Sequence, residues 1–287
     1  SYTITLKTGT GVSTLTASGW TGSPAATITK VYGEGAVIDL STITPTYATG
    51  YSNGTWSKTS GTGNAVSNNK FTVGAGNATL TIVGAANDYT VTANANGGTI
   101  PTTSGWTVAS GGATATKGVT YNATYGTLPT PTRTGYTFDG WFTAETGGTA
   151  VTASTTVTNA SNHTIYAHWT INNPATPTIS GGTTKIYGAS ATTLTCATTT
   201  TYATGVTKYY SFGYATSDGG TPGNWTEAGT SDKLVISLAN SNEFVGQRWY
   251  SCRVYASDGT STTSTVTSAA SADTAMTINN AKLTFNK

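Results

Sequence analysis

The sequence predicts an all-β chain of three domains, and three observations carry that expectation. Charged residues make up only 8% of the 287 positions, against roughly 25% in an ordinary soluble domain. The 16 Tyr, 7 Trp and large excess of threonine are unlike the aromatic-poor composition of disordered chains. Threonine is β-branched and keeps its hydroxyl in water, so it suits the solvent face of strands whose other face is buried. Apolar residues recur at every second position in short runs broken by Gly, Pro, Asn and Asp, the period of strands and not of helices. The organising stretch is Gly135-Tyr136-Thr137-Phe138-Asp139-Gly140-Trp141-Phe142, followed by Gly147-Gly148. Tyr136 and Phe138 alternate with polar neighbours, and Gly140 lets the chain bend before Trp141. Tyr136, Phe138 and Trp141 are therefore expected in a core.

Taken in order, Tyr2, Ile4 and Leu6 alternate with Thr3, Thr5 and Lys7 as a half-buried strand. Ser18-Gly19-Trp20 interrupts before Ala26-Thr27-Ile28-Thr29-Lys30, and Ala36-Val37-Ile38-Asp39-Leu40 follows Gly33 and Gly35. Gly50-Tyr51, Trp56 and the run from Ala78 to Val83 close a unit over 1–87. That unit recurs at an offset of about 85 residues. Tyr2-Thr3-Ile4-Thr5 returns as Tyr89-Thr90-Val91-Thr92, Ser18-Gly19-Trp20 as Ser104-Gly105-Trp106, and Gly50-Tyr51 with Trp56 as Gly135-Tyr136 with Trp141. Threonine matches arise by chance in such a chain; tryptophans and Gly-Tyr pairs in the same order do not.

Across 88–170 the chain resembles the Listeria-Bacteroides repeat, also called the internalin B repeat. The resemblance rests on Asn96-Gly97-Gly98, Tyr125-Gly126, Leu128-Pro129 with Pro131, Gly135-Tyr136-Thr137-Phe138, Gly140-Trp141-Phe142, Gly147-Gly148-Thr149 and Tyr166-Ala167-His168-Trp169. It implies a small β-grasp-like domain used in series as a spacer or adhesive stalk, in proteins at the bacterial cell surface or secreted. Residues 1–87 resemble a diverged copy: Trp56 is kept, but Asn53 stands at the Phe138 position and Trp169 has no aromatic counterpart.

After Trp169 the pattern changes. Asn173-Pro174-Ala175-Thr176-Pro177 is a stiff connection. Short strand-like runs follow at Thr193-Leu194-Thr195-Cys196, Lys208 to Tyr214, Lys233 to Leu238 and Trp249 to Tyr255, separated by turn signals such as Ser217-Asp218-Gly219-Gly220, and they predict a sandwich over 171–274. Cys196 and Cys252 lie 56 apart, with Tyr250 two before the second. Both features resemble an immunoglobulin-like domain, in which the cysteines bridge strands B and F and the tyrosine forms the corner. The resemblance implies a Cys196–Cys252 disulfide; two buried free thiols are the alternative. In place of the core tryptophan expected on strand C the sequence offers Tyr210 or Phe212, since Trp225 lies too far along. The final sandwich strand is expected around Thr262 to Ser268. Residues 275–287 read as a strand-like tail, either the start of a further domain or an edge strand added to a neighbouring copy of the chain.

The residues bearing chemistry do not assemble into a motif. Eleven carboxylates are scattered without a recognisable acid/base pair. His163 and His168 fall on opposite faces of one predicted strand, the wrong geometry for a shared metal. No phosphate loop or Gly-x-Ser-x-Gly is present. A net charge of +2 supplies no basic patch, which argues against nucleic acid, and no run of 18 apolar residues would span a membrane. The expectation is a non-enzymatic chain with no cofactor: a stalk, an adhesin segment or a subunit of a surface filament or layer, whose partners are neighbouring domains or its own copies. The rival expectation is an array of carbohydrate-binding modules stacking sugars on Trp20, Trp106 and Trp225. The bland reading of those three is that they cap small cores.

Overall fold

The structure is a computed structural model, and it describes residues 1–182, 184–186, 191–236, 246–259, 265–272 and 274–279. The expectations for Ser237, Leu238, Glu243, Thr262 and the tail from 280 onward fall outside these residues. Almost every ordered element is a strand. The chain divides into two compact units, one made of Ser1–Thr130 with Gly140–Ala167, the other of Pro131–Asp139 with His168–Lys287.

The first unit opens on a four-stranded sheet of β1 (Tyr2–Thr8), β3 (Thr27–Tyr32), β8 (Ala78–Ala86) and β6 (Tyr51–Gly61), in the order β3-β1-β8-β6. The central pair β1 and β8 runs parallel, with Ile4 opposite Ala78 and Leu6 opposite Leu80. Alternation sends Ile4, Leu6, Ile28, Leu80 and Ile82 to one face, where they are buried, and leaves the threonines between them toward water. A parallel pair needs a long crossover, ordinarily a helix. Here two ribbons serve instead: β2 (Val12–Thr16) with β5 (Thr44–Tyr47), and β4 (Val37–Asp39) with β7 (Lys70–Thr72). A single 3-10 turn, Leu40–Thr42, follows β4, and the Asp39 carboxylate caps it by accepting from the Ser41 N–H at 3.0 Å. Leu15, Leu40, Phe71 and Val73 from these connections complete the core.

A six-stranded sheet follows, in the order β10 (Thr107–Val108), β11 (Thr114–Thr120), β9 (Asp88–Asn94), β14 (His163–Ile171), β12 (Tyr136–Phe142) and β13 (Ala150–Val151). Its central four, β11-β9-β14-β12, repeat the order β3-β1-β8-β6, and β9 is parallel to β14 as β1 is to β8. Strict alternation along β12 would expose Trp141 together with Thr137 and Asp139. Gly140 sits at φ +135°, a backbone conformation that side chains disfavour, and resets the alternation. Trp141 is consequently 3% exposed and donates its indole N–H to the Pro129 carbonyl at 2.8 Å.

In the second unit β15 (Thr178–Ser180), β17 (Thr192–Ala197) and β19 (Lys233–Ile236) form one sheet. The other contains β16 (Thr184–Ile186), β22 (Thr274–Asn279), β20 (Gly246–Ser257) and β18 (Thr207–Ala215), with β21 (Thr265–Thr267) paired to β20. Cys196 on β17 and Cys252 on β20 are joined as a disulfide, Cα to Cα 6.1 Å. Leu194, Phe212, Ile236, Tyr250 and Val254 surround it. Phe212 is thus the core aromatic of β18, and Tyr210 packs at the margin. Residues 274–279 form β22, bonded antiparallel to β20 and parallel to β16 within the same chain.

Candidate functional site

The three tryptophans named as sugar platforms are occupied by the protein itself. Trp20 is 8% exposed and packs against Tyr32 with ring centroids 5.9 Å apart. Trp106 is 7% exposed, donates to the Thr127 carbonyl at 2.9 Å and carries the Lys117 ammonium 5.8 Å from its ring centre. Neither offers a ring face to a sugar. Trp225, partly exposed, rests on Gly213 of β18 and has the Arg253 guanidinium 4.2 Å from its ring centre. His163 is likewise engaged: its Nδ1 lies 2.9 Å from the Ser161 carbonyl, so Nδ1 is the donor and Nε2 accepts from the Tyr125 hydroxyl at 2.6 Å. Among the described residues no group of three His, Cys, Asp or Glu could hold a metal.

The signature stretch divides in a way the sequence does not announce. Trp141 serves the core of its own repeat, whereas Tyr136, expected beside it, does not. Tyr136 is buried together with Ile171 and Ala256, with Trp169, Tyr202, Ala203 and Val206 around them. Phe138 is only half-buried and leans on Trp169 at 5.4 Å between centroids. Tyr136 is a joint residue, and its partners Tyr202 and Ala256 belong to the sandwich. Tyr250, the other signature tyrosine, lies in the sandwich core beside the disulfide and stacks obliquely on Tyr214 at 5.7 Å.

The joint around Tyr136 is dense and directional. Gly135 has φ +80°, and a Cβ added there would run into the Tyr202 ring. The Asn172 N–H donates to the Gly135 carbonyl at 2.9 Å, and the Thr137 hydroxyl donates to Asn172 Oδ1 at 2.7 Å. Tyr202 donates its hydroxyl to the Asn172 carbonyl at 2.7 Å, while the Ala203 N–H donates to the Thr134 carbonyl at 2.9 Å. The Arg133 guanidinium lies 3.8 Å from the centre of the Tyr136 ring, whose hydroxyl donates to Asp258 Oδ2 at 3.3 Å.

A second joint lies entirely within the first unit. Gly50 has φ +83°, and its added Cβ would run into the Tyr121 ring. Tyr51 and Tyr121 meet edge to face at 5.5 Å. The Asn87 N–H donates to the Gly50 carbonyl at 2.9 Å, the Tyr121 N–H donates to the Asn87 carbonyl at 2.9 Å, and the Ser52 hydroxyl donates to Asn87 Oδ1.

Burial, and secondarily the neighbouring Tyr136, pushes the Tyr202 hydroxyl from 10.0 up to about 12. The folded joint holds the neutral phenol. Its stabilisation is therefore complete below pH 10 and lost as pH rises toward about 12. Titration of tyrosinate absorbance in the full chain is expected to show a late step near pH 12 that Tyr202→Phe removes. An unchanged late step would place that proton on another tyrosine.

Sequence reasoning did not single out Asn87, Tyr121, Asn172 or Tyr202. Two signals were available. Asn87 and Asn172 stand at the same offset as Gly50 and Gly135, and the pentapeptide Thr46-Tyr47-Ala48-Thr49-Gly50 recurs intact as Thr201-Tyr202-Ala203-Thr204-Gly205. The chain is all β, and side-chain and backbone hydrogen bonds cluster at the two Gly-Tyr corners. Within it, residues 89–168 match the family model of the Listeria-Bacteroides repeat domain. No curated protein matches the chain. The Listeria-Bacteroides repeat is found in bacterial surface and extracellular proteins, and among the described residues no helix is long and apolar enough to cross a membrane.

Proposed function

We propose that this chain is a non-enzymatic structural segment of a bacterial surface protein, a stalk or adhesin segment or a subunit of a surface filament or layer. Residues 1–87 act as a diverged copy of the repeat, and the disulfide-bridged sandwich as an immunoglobulin-like domain. The observation that carries this reading is the pair of joints: polar and aromatic groups that would otherwise be available to a ligand are spent holding neighbouring domains together. The shared sheet order of the two repeats and the low charge fit the same role. Against the sugar-binding alternative stands the burial of Trp20 and Trp106; Trp225 is partly exposed.

Protease shaving of intact producing cells tests the location. The expected result is release of peptides from this chain while a cytoplasmic marker stays inside. Retention of the chain with that marker until the cells are lysed would overturn the surface assignment.

A further inference from the structure

We propose that the Gly-Tyr corner of each repeat, with the asparagine that ends the repeat, is a docking socket for a tyrosine of whichever domain follows, and that it accepts two different folds. This inference does not depend on where the protein resides.

The socket side is duplicated residue for residue. Gly50, Tyr51, Ser52 and Asn87 correspond to Gly135, Tyr136, Thr137 and Asn172. In both cases the asparagine N–H is donated to the glycine carbonyl at 2.9 Å, and a hydroxyl from the residue after the tyrosine is donated to the asparagine Oδ1. The arriving side is not duplicated. Tyr121 directly follows β11 of a repeat, whereas Tyr202 lies in the irregular segment between β17 and β18 of a sandwich whose strand order is unrelated. The two tyrosines even satisfy the asparagine carbonyl with different atoms, Tyr121 with its backbone N–H and Tyr202 with its hydroxyl. What they share is a ring laid on a glycine of φ near +80°. A side chain at that glycine is excluded twice, by the backbone and by the ring. Recognition therefore resides in the socket and asks one thing of the incoming domain: a tyrosine ring presented from its first connections.

Double-mutant cycles in the full-length chain test this, read by urea unfolding and by hydrogen exchange at the Asn87 and Asn172 amides. Gly50→Ala with Tyr121→Ala, and Gly135→Ala with Tyr202→Ala, are each expected to couple, the alanine at glycine costing less once the ring is gone. The backbone penalty of alanine at positive φ is common to both arms of a cycle and cancels. The crossed pairs, Gly50→Ala with Tyr202→Ala and Gly135→Ala with Tyr121→Ala, are expected to be additive. Tyrosine-to-phenylalanine variants keep the test open if an alanine variant fails to fold. Tyr202→Phe is expected to speed exchange at Asn172 by about threefold to tenfold, the loss of one net hydrogen bond, while Tyr121→Phe leaves Asn87 unchanged. Additivity within either matched pair would overturn the shared socket, and equal behaviour of the two phenylalanine variants would overturn the assignment of the Tyr202 hydroxyl to the Asn172 carbonyl and of the Tyr121 N–H to that of Asn87.

Discussion

Removing the Cys196–Cys252 bridge, as the double substitution Cys196→Ala/Cys252→Ala, is expected to cost the sandwich about 4 kcal/mol and lower its melting temperature by roughly 15–30 °C. Closing a loop of 56 residues removes much of the unfolded chain's conformational freedom, and that restriction is absent once the sulfurs are gone. The folded side adds to the effect, because Cys196 and Cys252 are 1% and 0% exposed among Leu194, Phe212, Ile236, Tyr250 and Val254. Each alanine leaves space where a sulfur had packed against Leu194, Phe212 and Val254. The loss is local: calorimetry of the full chain should show the transition of the sandwich moving down while that of the first unit stays in place. A sandwich transition that does not move would mean that its stability is set elsewhere.

The second large effect is expected at Trp141. Trp141→Ala empties one of the two buried tryptophan sites of its repeat, at a cost of about 3–5 kcal/mol, and strands the Pro129 carbonyl that its indole N–H now satisfies. Phe138→Ala, three residues earlier in the same signature, is expected to cost only about 1–2 kcal/mol, since that ring is half-buried and leans on Trp169. Urea unfolding of both variants in the full chain distinguishes them. Equal costs would contradict the assignment of Trp141 to the core and of Phe138 to its margin.

These two residues also show how far the sequence could be read. The repeat was legible because Trp and Gly-Tyr recur in order at one spacing, and because Gly140 marks the point where alternation is reset. The strands of the second unit were legible through short alternating runs. The role of Tyr136 was not legible. Alternation says that a residue is buried but not by what, and Tyr136 is buried with Ala256, which lies 120 positions away. Tyr202 was hidden for the same reason, as one of 16 tyrosines in a segment with no strand pattern. The pairing of β22 with β20 and β16 was not legible, because its run reads locally as an independent strand. Trp20 and Trp106 were ambiguous because glycines beside a tryptophan suit an exposed loop and a capped core equally well, and only burial decides between them.

The most direct test of the account is hydrogen exchange of the unmodified full-length chain at the amides of Asn87 and Asn172. Asn87 lies between β8 and β9 and Asn172 directly follows β14, where a flexible tether would leave their N–H groups in water. Closed joints predict that both amides exchange as slowly as those of the flanking strands, because each is donated to a glycine carbonyl beneath a tyrosine ring. Exchange of either amide at the rate of an unstructured peptide would show that corner to be open and would contradict the account.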